Sequence, residues 1–255
     1  MNAAIDLNAD VGEGMPTDHE LLQFVSSANI ACGYHAGSTH IMQQTVAACL
    51  HRGVAIGAHP GYADTANFGR KYVALNARQL QALIWAQLEA LDAVCRQAGA
   101  RLHHVKPHGA LYNRLAAHPE EAAVVANAIA TYNKDLWYVG LAGSHSIKEA
   151  ENAGLKVVHE FFADRTYQPD GSLTQRSWQG AVIEDESMAM GQALEIARYR
   201  QVRSQSNQVV KPIKSQHTSS ISICLHGDNA RAVAFAQTIN ARLQQEGFTI
   251  KAPGL

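Results

Sequence analysis

No two of the four cysteines in this chain, Cys32, Cys49, Cys95 and Cys224, stand close enough to form a C-x-x-C pair. That spacing gives neither a zinc knuckle nor a disulfide framework, and it fits reduced thiols in a cytosol. Charge is scarce too: Asp, Glu, Lys and Arg together make up 17% of the 255 residues and leave a formal net charge of −1. Without a surplus of Lys and Arg there is no basic face to meet a phosphate backbone, so nucleic acid is not expected as a partner and small molecules are. Long apolar runs are missing as well. No stretch approaches a membrane span, and "MNAAIDLNADVGEG" carries acids where a signal peptide has a basic region and then an apolar one. These absences predict a cytoplasmic protein with no membrane partner.

What is present is apolar bulk and histidine. Hydrophobic residues reach 47%, enough to bury a substantial core, and the length lies within the range that an α/β barrel fills as one domain, 1–255. No internal repeat, low-complexity tract or linker interrupts it. Thirteen histidines are a heavy dose, and histidine is the side chain that titrates nearest neutrality.

Short β-like runs alternate with helical ones, the pattern of parallel βα units. Strands are predicted near 4–9, 28–32, 54–58, 102–106, 136–140, 156–161 and 220–225, with a possible eighth in "FTIKA". The clearest helix runs from Asn76, a plausible N-cap, through Leu80, Leu83, Ile84, Leu88, Leu91 and Val94 to a stop at Gly99. Others are expected near 39–51, 120–132, 187–202 and 229–246. Residues 60–75 read as a long functional loop. Residues 204–220 read either as a surface excursion with a short edge strand or as a flexible connection.

Strands of a helix-covered parallel sheet usually read apolar on both faces. In "AIDLNAD", however, Ile5 and Leu7 alternate with Asp6, Asn8 and Asp10, and in "SISICLHGD" Ile221, Ile223 and Leu225 alternate with Ser220, Ser222, Cys224 and His226. Alternation places each polar set on one face. If helices cover the apolar side, the polar side lines the inside of a closed barrel. His104 and Lys106 share such a face. Active sites of βα barrels lie at the carboxyl-terminal mouth, so the residues after each strand become candidates. They are Asn8, Asp10 and Glu13, then His35, His59, Lys106 and His108, then Asp164 and Arg165, then His226 and Asp228. Each alone has an ordinary structural role open to it; recurrence at six strand ends is what favours a site. His19, His40, His51 and His118 fall on helices or their starts and receive no role.

The segments "DLNADVGEG", "ANIACGYHAGS", "GAHPGYAD" with "NFGRK", "KPHGALYN", "FADRTY" and "HGDN" resemble the LamB/YcsF family, in the family's order, over residues 5–250. The resemblance implies a β/α barrel of about seven parallel strands, related to glycoside hydrolase and deacetylase barrels. It also implies ATP-dependent opening of the 5-oxoproline lactam to L-glutamate, together with 5-oxoprolinase subunits B and C. Where relatives often carry a proline-rich "LVPR" stretch, this chain has "LTQRSWQGAVI" at 173–183, which leaves the neighbouring loop undetermined. There is no G-x-x-x-x-G-K-[ST] loop, so ATP is implied by resemblance only and its site is unconventional or shared with a partner.

On this reading Asp10 or His59 is the general base, and Lys106 stabilises charge on the lactam oxygen or binds phosphate. His108 and Arg165 complete an anionic subsite for the substrate carboxylate. Asn8, Glu13, His35, Asp164, His226 and Asp228 complete the substrate-binding set, and no metal ligand is assigned. Two alternatives stay open: a metal-dependent deacetylase or amidohydrolase using Asp10, His59 and another histidine for Zn²⁺, and a non-catalytic lactam-binding subunit.

Overall fold

The computed structural model describes residues 4–210, 212–213, 220–225 and 232–255. The strands are β1 (Ala4–Val11), β2 (Ser27–Ala31), β3 (Ala55–His59), β4 (His104–Val105), β5 (Trp137–Leu141), β6 (Lys156–Phe162), β7 (Val202–Arg203), β8 (Val209–Val210), β9 (Ser220–Leu225) and β10 (Thr249–Ile250). The helices are α1 (Asp18–Leu21), α2 (Thr39–Arg52), α3 (Ala77–Gln97), α4 (Gly109–Ala117), α5 (Pro119–Tyr132), α6 (His145–Asn152), α7 (Glu186–Tyr199) and α8 (Ala232–Gln245). None of the helices is long and apolar enough to cross a membrane among the described residues.

Seven parallel strands close into a barrel. The order runs β1-β2-β3-β4-β5-β6-β9, and β9 returns to pair with β1 as well as β6. The eighth strand suggested by "FTIKA" exists as β10, which adds to the outer start of β1 through Ala4↔Thr249 and Ile5↔Ile250. All seven barrel strands lie where the sequence pattern puts them.

Helices cover the outside because their apolar stripes have nowhere else to go. Along α3, Leu80, Ile84, Leu88, Leu91 and Val94 are buried at helical spacing, each removal from water contributing about 1.5–3 kcal/mol. Its start is fixed by a capping box in which Asn76 and Gln79 exchange side-chain-to-backbone bonds. The helix expected to reach 202 stops at Tyr199, because Arg200 takes a left-handed φ of 52° and Val202–Arg203 leaves to pair antiparallel with Val209–Val210. This hairpin gives the described part of 204–220 an excursion with a short strand. Two short helices, α4 and α6, carry too few turns to show a clear period in the sequence.

The barrel bore is polar, as the alternation implies. Asp6, Asn8, Asn29, His104, Lys106, Glu160 and Ser222 are all buried within it. Register explains one fit: Asn29 pairs with Gly57 and Gly57 with His104. The missing side chain of Gly57 lets the His104 ring cross to Asn29, since a Cβ there would sit 2.1 Å from His104 Nε2.

Candidate active site

Two polar layers fill the mouth end of the bore, one built on the strands and one on the loops that leave them. In the lower layer Asn8, on β1, donates through Nδ2 to Glu160 Oε1 at 3.0 Å and Ser222 Oγ at 2.6 Å. Asn29, on β2, donates to Asn8 Oδ1 at 2.7 Å and Asp10 Oδ1 at 2.8 Å, and its own Oδ1 lies 2.9 Å from His104 Nε2. Ser222 in turn donates to Asp6 Oδ2, whose carboxyl is pushed up by burial. Almost every lone pair and N–H in this layer has a partner, which fixes the side chains above it.

Lys106 stands at the centre. Its Nζ lies 2.8 Å from Asp10 Oδ1, 2.8 Å from Glu160 Oε1, 3.2 Å from Asn8 Oδ1 and 3.2 Å from Cys224 Sγ. Burial works against the ammonium, yet Asp10, Cys224 and Glu160 outweigh it and hold its pKa well above the ordinary range. The expectation that Lys106 meets a substrate oxygen therefore needs refinement. Its three N–H bonds are occupied by protein acceptors, and a ligand contact requires one of these to be exchanged.

The upper layer gathers the loop histidines. His59 Nδ1 lies 2.8 Å from the Lys106 carbonyl, and its Nε2 is 3.3 Å from Asp10 Oδ2 and 2.9 Å from His108 Nδ1. His108 Nε2 reaches the Phe68 carbonyl at 2.8 Å. His35 stacks on His108 with ring centroids 3.8 Å apart, and its Nε2 lies 3.5 Å from Glu13 Oε1. Burial, followed by the charge of neighbouring imidazoles, lowers His35 to about 3 and His108 to about 2. Glu13 is pushed up to about 7, by burial first and then by Asp10.

The loop after β3 forms one wall. Phe68 sets its ring edge-on to both His35 and His108, and Gly69, at φ 64°, leaves space that a Cβ would take from His35 and His108. Asp18 steadies the loop after β1, accepting backbone N–H bonds from Glu13, Gly14 and Met15 at 3.1–3.3 Å.

Asn8, Asp10, Glu13, His35, His59, Lys106 and His108 are thus brought together. Arg165 lines the same cavity, but its Nε and Nη2 donate to the Ala181 and Thr174 carbonyls, clamping the 164–183 loop. The edge expected to grip a carboxylate bidentately is already engaged. Asp164 is not among the residues lining the cavity, although it stands next to Arg165. His226 and Asp228 lie outside the described residues. Sequence reasoning passed over Asn29, Glu160 and Asp18. A lone acid in "KVVHEFF" and an Asn inside "SANIA" were the available signals for the first two; Asp18 gave none.

Above both layers opens a cavity of about 1600 Å³, lined by Asp10, Glu13, His59, Lys106 and His108 at its base and by Arg70, Arg114, Lys148 and Arg176 towards the rim. The arrangement offers a carboxylate beside an imidazole at the base of a wide, cation-lined funnel, suited to proton transfer on a small polar molecule.

The family model for the LamB/YcsF family matches residues 5–254. The A subunit of 5-oxoprolinase from Shouchella clausii (strain KSM-K16) is 46% identical over 254 residues, with 98% of each chain covered. The crystal structure of a lactam utilization protein from Thermus thermophilus superposes with a TM-score of 0.88 at 35% identity, covering 98% of this chain and 99% of that one. A structure of peptidoglycan deacetylase PdaC from Bacillus subtilis gives a TM-score of 0.50 at 10% identity, covering 98% of this chain and 87% of that one, a likeness of fold alone.

Proposed function

The chain belongs to the LamB/YcsF family, and from that premise and the site geometry we propose that it is the A subunit of an ATP-dependent 5-oxoprolinase. In this reading it opens the lactam of 5-oxoproline to L-glutamate in the cytoplasm, as one domain working with subunits B and C. The carrying observation is Asp10. It reaches the cavity from the base, with Oδ1 held by Lys106 and Asn29 and Oδ2 3.3 Å from His59.

A five-membered lactam resists water because amide resonance protects its carbonyl. Opening it needs an activated carbonyl, a base for water and a proton for the departing nitrogen. ATP supports the first need by transferring its terminal phosphoryl group to the carbonyl oxygen with release of ADP, which makes the lactam carbon an imidate-like electrophile open to water. Asp10 supplies the second, taking a proton from the attacking water while Lys106 and Asn29 hold its orientation. The proton is then available to the ring nitrogen as the C–N bond breaks, leaving an acyl phosphate that a second water hydrolyses to L-glutamate and inorganic phosphate. Lys106 acts here by setting Asp10, and a developing oxyanion reaches it only by exchanging with one of its protein acceptors. The cavity is far larger than a lactam requires, and its rim carries Arg70, Lys148 and Arg176, which supports a phosphate-bearing second substrate or a partner's loop, while Arg114 beside them is held by Glu121.

The test is reconstitution with candidate subunits B and C, following glutamate released from 5-oxoproline plus ATP. Replacing Asp10→Asn, nearly isosteric but unable to accept the proton, is expected to lower kcat by about 10²–10⁴. Near-normal turnover by Asp10→Asn removes it as the base, and no glutamate with all three subunits present removes the reading.

A further inference from the structure

Four ligand atoms contributed by four consecutive strand ends face one another in the upper layer without a positive charge between them. Glu13, His35, His59 and His108 each offer one donor atom, and all four lie within 4.8 Å of one another. The backbone fixes how two of the rings present themselves. His59 Nδ1 faces the Lys106 carbonyl and His108 Nε2 faces the Phe68 carbonyl, both pure acceptors, so each nitrogen carries its hydrogen there. A neutral imidazole has only one N–H. With those hydrogens in place, His59 Nε2 and His108 Nδ1 face each other across 2.9 Å with only one site between them, which either a shared proton or a metal ion can fill. Asp10 Oδ2, 3.3 Å from His59 Nε2, and Glu13 Oε1, 3.6 Å from His108 Nδ1, add further electron-rich atoms.

A second, independent observation points the same way. His35 is 1% exposed, yet neither of its ring nitrogens has a hydrogen-bond partner, and Glu13 Oε1 is likewise unpaired. Buried polar atoms left in this state keep the full cost of losing their water, so an occupant that satisfies several at once is strongly favoured. The cradle is built closely around the rings. A Cβ on Gly61 would come 2.9 Å from His35 Nδ1, and one on Gly69 would come 2.8 Å from His35 Cβ.

We propose that Glu13, His35, His59 and His108 form a binding site for a divalent transition-metal ion, with zinc the best match to three imidazoles and a carboxylate. The two carbonyls that fix His59 and His108 are the outer partners such ligands characteristically have, orienting each lone pair inward. Bonds of about 2.0–2.2 Å from each donor require the His59–His108 nitrogens to open from 2.9 Å and the His35 ring, now stacked parallel on His108, to turn towards the ion. Calcium and magnesium, which take oxygen donors, fit poorly.

The experiment uses the untagged full chain, stripped with a chelator and titrated with zinc chloride at pH 7.5 by calorimetry. Bound metal is counted by mass spectrometry after gel filtration. About one ion per chain is expected, and Glu13→Gln and His108→Ala should each weaken binding at least about tenfold. His51→Ala, at the exposed end of α2, should not. Cobalt in place of zinc should give a visible absorption band that the His35→Ala variant lacks. Well-folded wild type that binds no zinc, nickel, cobalt or manganese stoichiometrically overturns the proposal, as does binding indifferent to both Glu13→Gln and His108→Ala. Because the readout is metal bound rather than lactam opened, failure here leaves the lactam reading intact, and failure of the lactam assay leaves this site intact.

Discussion

Lys106→Met deletes the cation around which the bore is arranged, and its effect on folding can be worked out before any activity is measured. Lys106 and Glu160 are 2% and 0% exposed and 2.8 Å apart, and Asp10 shares the same ammonium at 2.8 Å. A methionine fills the space of the alkyl chain but leaves Glu160 buried beside Asp10 with no opposing charge. Breaking a buried pair on one side costs about 3–5 kcal/mol. For a chain of this size, about 2 °C of Tm accompanies each kcal/mol, so the melt should fall by about 6–10 °C. Adding Glu160→Gln removes the uncompensated charge, and the double variant should recover about half or more of the loss, a coupling of the size contacting residues show. Calorimetric or circular-dichroism melts of the wild type, both singles and the double complete the cycle. A Lys106→Met melt within about 2 °C of wild type, or additive singles, would refute the buried triad of Lys106, Glu160 and Asp10 as the organising interaction of the bore (~0.3–0.5 kcal/mol being ordinary non-coupling).

Three further outcomes are expected. His159 is buried on β6 and lowered to about 4 by desolvation, then by Arg200, so the folded state binds fewer protons there than the unfolded one. Its neutral form therefore contributes stability that is complete above pH ~6.5 and lost as pH falls towards 4, about 3 kcal/mol in all; urea melts of wild type and His159→Gln should converge by that amount from pH 7 to 4, and parallel curves would contradict it. Gly57→Ala forces a methyl group into the space of the His104 ring and should destabilise by about 1–3 kcal/mol, read as a lower urea midpoint with an unchanged m-value. Asn76→Ala removes the capping box of α3 and should lower stability by about 1 kcal/mol, with no change in glutamate release by the complex.

The fold was largely legible because it rests on local periodicities. Apolar residues two apart in "AIDLNAD" and "SISICLHGD", and three to four apart from Leu80 to Val94, report which face is buried regardless of what covers it. Helices α4 and α6 were not, since eight or nine residues hold too few turns for a period to emerge. The end of α7 was not, since a left-handed Arg200 has no sequence signature of the kind glycine provides.

By itself, the order of residues determined that polar side chains would line a closed parallel barrel and that Asp10, Glu13, His35, His59, Lys106 and His108 would gather at its mouth, because strand alternation and strand ends are properties of the chain's own geometry. Only the tertiary structure decided what each of them does there. Lys106 spends its donors on Asp10, Glu160 and Asn8, and Arg165 on the carbonyls of its own loop. The Lys106 and Phe68 carbonyls set which nitrogen of His59 and His108 bears the hydrogen. Hydrogen-bond and charge partnerships act over about 3 Å between residues far apart in sequence, and that distance exists only once the barrel has closed.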